Sequence, residues 1–279
     1  MNTTLHCERQ DLEERASGLC AGALPLVCIH GWGMNLRAFD PLRAELRREF
    51  STWAIDLPGH GHSGWDHARA DLESQLQDVQ TVLPAECVLV GWSLGGQIAL
   101  ELARRSPQQV RALVLIASTP RFTQAPDWPH GLDAATLDSF RALLAQDWRQ
   151  ALRDFVQLQV RGSRNAEVTQ RQLENALQSH GLPREAALNA GLEMLARTDQ
   201  RAVLSQISQP VLVVSGQHDH VTPQASARWL ADALPRAHFV QIARAGHVPL
   251  LSHVEEMAAA LREFLREPNV QRESGCAAA

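Results

Sequence analysis

Cys87-Val88-Leu89-Val90-Gly91-Trp92-Ser93-Leu94-Gly95-Gly96-Gln97-Ile98-Ala99-Leu100 decides the reading of this chain. An apolar run of strand character ends in Gly-Trp-Ser-Leu-Gly and opens into a helical pattern. That is the strand, sharp turn and helix of a G-x-S-x-G nucleophile elbow. A serine hydroxyl is a weak nucleophile at its free pKa, so it must stand clear of the backbone and touch a base. The turn does the first by straining Ser93. Gly91 and Gly95 carry no Cβ, so neighbouring elements can approach it closely. The helix from Leu94 aims its positive end at the place where negative charge develops in acyl transfer. The Leu94 N–H is then the natural first oxyanion donor.

Outward from the elbow, short apolar strands alternate with amphipathic helices. Leu24–Ile29, Trp53–Ile55 and Val110–Ile116 read as strands, and 36–49, 71–83 and 94–105 as helices. This rhythm predicts βαβ units and a mostly parallel sheet flanked by helices, an α/β fold. Residues 1–23 are weakly patterned, with an early hairpin as the expectation. From 120 to 198 the apolar spacing is helical, and strands return only at 210–214 and 238–242. We therefore read 1–119 and 199–270 as one core, 120–198 as a helical cap inserted into it, and 271–279 as a disordered tail. The last four residues formally match a C-a-a-X box, but no polybasic stretch precedes them.

The carboxyl ends of strands gather the chemistry in open α/β sheets. Two more such ends carry candidate groups: Asp219 in Gly216-Gln217-His218-Asp219-His220, and His247 in Ala245-Gly246-His247-Val248-Pro249. The order Ser93, Asp219, His247 is that of a nucleophile, an orienting acid and a base. Rival bases are His218, His220 and His253, and rival acids are Asp199 and Asp127. His30, His60 and His62 read as locally bonded turn residues. The second oxyanion donor should come from the loop after the first strong strand, His30-Gly31-Trp32-Gly33, which gives the Trp32 N–H. The Trp32 and Trp92 side chains are expected to wall the acyl pocket.

The bulk numbers exclude other classes. The 279 residues are 45% hydrophobic and 20% charged, with net charge −5, which gives nucleic acid no reason to bind. All 26 basic residues are arginine, so Schiff-base lysines and Walker phosphate loops are absent. Five cysteines without regular spacing argue against a disulfide framework. No apolar run of about 18 residues could span a bilayer. With no signal pattern at the N-terminus, a cytoplasmic protein is expected, and a monomer is the expected state.

These residues together resemble the α/β-hydrolase superfamily over nearly the whole chain. The resemblance rests on His30-Gly31-Trp32-Gly33-Met34-Asn35, Asp56-Leu57-Pro58-Gly59-His60-Gly61 and Gly91-Trp92-Ser93-Leu94-Gly95-Gly96. Two further stretches resemble its pimeloyl-[acyl-carrier protein] methyl ester esterase family. They are Ala117-Ser118-Thr119-Pro120-Arg121-Phe122 with Asp127-Trp128-Pro129, and Asn189-Ala190-Gly191-Leu192-Glu193-Met194-Leu195. The resemblance implies an α/β-hydrolase fold with a four-helix-like cap, a methyl ester substrate in biotin synthesis, and no metal or organic cofactor. It also implies an acyl carrier protein as partner, met by cap arginines. Candidates here are Arg149, Arg153, Arg161, Arg164 and Arg171, with Arg141 nearby, although Asp154 and Glu167 depart from the family's arginine pattern. Phe155 among them is expected to line the acyl channel. A general esterase or lactonase on small esters, and a binding protein without turnover, are the alternatives.

Overall fold

Apolar runs four to seven residues long become strands when both sheet faces are covered. The computed structural model describes residues 3–12, 24–267 and 270. One sheet holds seven strands: β1 (Cys7–Gln10), β2 (Leu26–Ile29), β3 (Thr52–Ile55), β4 (Cys87–Trp92), β5 (Val110–Ile116), β6 (Val211–Gly216) and β7 (Ala237–Ile242). Their spatial order is β1-β3-β2-β4-β5-β6-β7. Only β1 runs antiparallel to its neighbour; every other pairing is parallel. β2, β4 and β6 are buried at every position, as central strands covered on both faces must be.

The hairpin expected within 1–23 falls partly outside the described residues. The part inside them, β1, pairs with β3 instead, Cys7 opposite Ile55. The tail 271–279 lies wholly outside them.

Between the strands come α1 (Asp40–Leu46), α2 (Leu72–Val82) and α3 (Leu94–Arg105). Four helices then follow one another without a strand of the sheet: α4 (Ala134–Gln146), α5 (Trp148–Val160), α6 (Ala166–His180) and α7 (Glu185–Arg197). The last three are α8 (Gln224–Ala233), α9 (Pro249–Ser252) and α10 (Val254–Leu265). Aspartates start several of them. Asp71, Asp133 and Asp147 each accept from the backbone N–H three residues on, satisfying an amide that the helix cannot.

The α4–α7 segment leaves and rejoins the sheet layer at one neck. Arg121 and Asp199 form an antiparallel bridge there, and Gln200 N donates to Pro120 O at 2.9 Å. The Arg121 guanidinium lies 2.7 Å from the Asp199 carboxylate, which Arg201 also contacts at 2.8 Å. A double seal of this kind fixes where the helical segment sits over the strand ends. Among the described residues no helix is long and apolar enough to cross a membrane.

Candidate active site

β4 ends at Trp92 and α3 begins at Leu94, so the whole reversal is made by Ser93. Its backbone sits at φ 56°, ψ −117°, a strained conformation for a residue with a Cβ. The surroundings hold it there. Ser93 N donates to Ile116 O at 2.9 Å, and Ser93 O accepts from Ser118 Oγ at 2.9 Å. The flanking glycines are steric requirements. A Cβ on Gly91 would meet Gly95 O at 2.5 Å, and one on Gly95 would collide with the Ile29 carbonyl.

Asp219 and His247 come from the loops after β6 and β7. His247 Nδ1 lies 2.9 Å from Asp219 Oδ2 and 3.1 Å from Oδ1, with both side chains fully buried. The carboxylate is fixed by its own loop. Oδ1 accepts from Val221 N at 2.8 Å and Thr222 N at 2.9 Å, while Thr222 Oγ1 sits 2.8 Å from Oδ2. His247 Nε2 is buried and has no hydrogen-bond partner among the described residues. That leaves it as the nitrogen able to take a proton.

The histidine loop is tied to the elbow and to the helices above it. Trp92 Nε1 donates to His247 O at 2.9 Å, so the residue beside the serine holds the residue carrying the ring. His247 N donates to Gln159 O on α5 at 2.9 Å. Gln159 is a residue that sequence reasoning missed. Its side-chain amide is buried with both ends unpartnered among the described residues. The available signal was its register, a polar residue on the inward face between Val156 and Val160.

The loop after β2 packs on the serine. A Cβ on Gly31 would stand 3.1 Å from Ser93 Cβ. The Trp32 and Leu94 amides flank this spot, and neither makes a turn or cap hydrogen bond among the described residues. The Trp32 indole donates to Leu188 O of α7 at 2.8 Å. Phe155 of α5 and Phe140 of α4 meet it edge-on, with centroids at 5.0 and 5.4 Å. Phe155 is thus placed against Trp32, and Phe140 joins an aromatic wall that its helical spacing alone did not single out.

Four of the rival groups, Asp199, Asp127, His218 and His253, are otherwise engaged, and the fifth, His220, is exposed. Asp199 is held below the usual carboxylate range by Arg201 and Arg121, and Asp127 by Arg201. His218 Nδ1 contacts Gly162 O at 2.7 Å, and His253 Nδ1 contacts Ser252 Oγ at 2.8 Å. His60 bonds within its turn, to Pro58 O, whereas His30 contacts Gly31 O and also accepts from Leu57 N of the loop after β3 at 2.9 Å. His62 differs: its ring stacks on His180 of α6, centroid to centroid 4.0 Å.

The family model for the α/β hydrolase fold matches residues 25–254. The chain belongs to the α/β-hydrolase family. Curated relatives agree with that placement of the hydrolase. The pimeloyl-[acyl-carrier protein] methyl ester esterase of Nitrosomonas europaea is 41% identical over 231 residues, covering 83% of this chain and 91% of its own length. The protein of the same name from Aromatoleum aromaticum is 39% identical over 246 residues, covering 86% of this chain and 98% of its own. Among solved structures, an esterase from Exiguobacterium antarcticum superposes with TM-score 0.81 at 21% identity, covering 95% of this chain and 96% of its own, and shows the shared fold.

Proposed function

We propose that this hydrolase is a serine carboxylesterase that removes the methyl group from pimeloyl-[acyl-carrier protein] methyl ester. One observation carries the chemistry: a buried Asp219–His247 pair at 2.9 Å, tied through Trp92 to a strained serine. The relatives' shared activity carries the substrate.

Ser93 Oγ attacks the ester carbonyl carbon as His247 Nε2 takes its proton. The Trp32 and Leu94 amides receive the oxyanion at the positive end of α3. The tetrahedral adduct collapses, and His247 returns the proton to departing methanol. Water, deprotonated by the same nitrogen, then attacks the acyl-enzyme and releases the acid. Asp219 keeps the imidazole in the productive tautomer and stabilises its charged form. No step in this cycle calls for a metal or organic cofactor.

The segment 120–198 acts as the cap, whose Phe140 and Phe155 together with Trp32 of the core form the apolar contact with the acyl chain. Outside, Arg149, Arg153, Arg161, Arg164 and Arg171 are all exposed. Arg141 is different, since it pairs with Glu193 at 3.0 Å and with Asp138 at 3.3 Å. Arg171 reaches Glu167 only at 3.9 Å. Arg149 lies over the Trp148 ring, and Arg153 is held by the neutral Gln150 amide. An acidic carrier would be steered to this face, faster at low salt.

The test is hydrolysis of the carrier-bound methyl ester, followed by mass spectrometry, beside free pimeloyl methyl esters. We expect preference for the carrier-bound form, complete loss with Ser93→Ala, and rescue of a biotin-requiring strain lacking its own methyl esterase. Equal rates on free and carrier-bound esters, with no rescue, would assign the hydrolase to small esters instead.

A further inference from the structure

Three histidines meet where the end of α6 reaches the turn after β3, and the ester reaction uses none of them. His6 precedes β1, His62 lies in the glycine-rich turn after β3, and His180 ends α6. Each offers a ring nitrogen, and these lie within 4.8 Å of one another. The rings crowd together: His6 lies edge-on to His62 at 5.0 Å and tilted to His180 at 5.4 Å, and His62 lies 4.0 Å from His180.

We propose that His6, His62 and His180 form a binding site for a divalent late transition ion, with zinc as the favoured occupant. Three imidazoles are the donor set that zinc takes readily, with bonds of about 2.0–2.1 Å. Tetrahedral bonds of that length require ligand atoms about 3.4 Å apart. The gap from the observed spacing is closed by modest rotation of His62, which is exposed, and His6, which is half-buried.

His180 is already built as a ligand. It is buried, and its Nε2 lies 2.8 Å from Asp56 Oδ2, leaving Nδ1 as the nitrogen to bind. A carboxylate behind an imidazole fixes its tautomer and orientation, as it does behind metal-bound histidines. Asp56 is itself immobilised by Leu36 N at 2.9 Å and His62 N at 3.0 Å. Near His6, Glu8 Oε1 stands 3.3 Å from Nε2 but is claimed by Arg37 at 2.6 Å. Water is therefore the natural fourth ligand.

The position gives the site a consequence. Two ligands belong to the core, and His180 closes a cap helix whose end is already held by Asn35 Nδ2, 2.9 Å from Ala176 O. An ion here staples that end of α6 to the core.

Tag-free, chelator-treated full-length protein is titrated with zinc against a chromogenic chelator, and separately with cobalt(II) followed by visible absorption. We expect one equivalent bound, intense visible bands of tetrahedral cobalt, and a rise of several degrees in Tm with zinc. His62→Gln and His6→Gln, both at accessible positions, should each weaken binding at least tenfold and abolish the cobalt bands while leaving the metal-free Tm unchanged. Equal zinc affinity in the wild type and the double variant overturns the site. So does binding by the wild type with only the weak absorption of octahedral cobalt.

Discussion

Asp219→Asn separates positioning from packing, because the carboxylate's partners are so unevenly matched. Oδ1 accepts from two backbone amides, Val221 and Thr222. Oδ2 faces Thr222 Oγ1 and His247 Nδ1 at 2.8 and 2.9 Å. An asparagine has one oxygen, and two amide donors outbid one ring nitrogen for it. Its NH2 group then points at His247 Nδ1. That nitrogen must become an acceptor, so the proton moves to Nε2, where it faces the serine's side of the site. A ring protonated at Nε2 cannot take the Ser93 proton.

The expected loss is about 10⁴-fold in kcat, or about 5.5 kcal/mol, the scale known for this substitution in serine triads. Folding should suffer much less, about 1–2 kcal/mol, since the volume and both backbone contacts survive. The assay is steady-state hydrolysis of the methyl ester beside a thermal melt. Imidazole nitrogen chemical shifts read the tautomer directly. A fall of less than about tenfold with an intact fold would refute the assignment of Asp219, and so would a ring that keeps its proton on Nδ1.

Three further outcomes follow from the same geometry. Gly191→Ala puts a Cβ 2.9 Å from Trp32 Cδ1; helix propensity returns about 1 kcal/mol against an overpacking cost of about 1–3. Melts should therefore shift little while kcat/KM drops at least tenfold; unchanged kinetics would detach Trp32 from the site. The double charge reversal Arg149→Glu, Arg153→Glu should raise KM for the carrier-bound ester at least tenfold at low salt, with free-ester kinetics unchanged; equal effects on both substrates would remove the arginine face from recognition. Burial, helped by the neighbouring His30 ring, pushes His60 down to about 3. The unfolded chain, with an ordinary His near 6.5, then takes the proton first as pH falls, so stability is full above pH 6.5 and drains towards pH 3 by up to about 1.4 kcal/mol per unit. His60→Leu should flatten that acid limb in denaturant titrations, and an identical slope would place the acid sensitivity elsewhere.

The sheet and the elbow were legible because their signals are local. A run such as Val88-Leu89-Val90 followed by Gly-x-Ser-x-Gly can satisfy its backbone and its glycines in few other ways. The pairing of Asp219 with His247 could be expected for a related reason: strand ends are marked in the sequence, and each residue lies within five residues of one. What stayed hidden is what depends on docking. Gln159 reads as one more polar residue of an amphipathic helix until α5 is laid over the His247 loop. Phe140 reads as core until it meets Trp32 across two helices. His62 reads as a turn residue until α6 brings His180 to 4.0 Å from its ring. The strand β1 was obscured because an edge strand of three half-buried residues and one exposed residue has almost no apolar period to read.

Those hidden contacts share a location, and that has a mechanistic meaning. The carboxylate is fixed by its own loop through Val221 and Thr222, the histidine by Trp92 of β4, and the serine by Ile116 of β5 and Ser118 just after it. On the proposed mechanism, proton transfer relies mainly on these core contacts. The helical segment touches the machinery at Gln159 O, at the Trp32 indole through Leu188, and by its two phenylalanines. On the proposed mechanism its apolar side chains bound the space beside the Trp32 and Leu94 amides, while it meets the base only through that one backbone hydrogen bond. Changes confined to that seam should alter the selectivity between ester chains far more than the rate on the smallest ester. Profiling Phe155→Ala against methyl esters of increasing acyl length makes the distinction: a uniform loss at every length would mean that the helices tune the base after all.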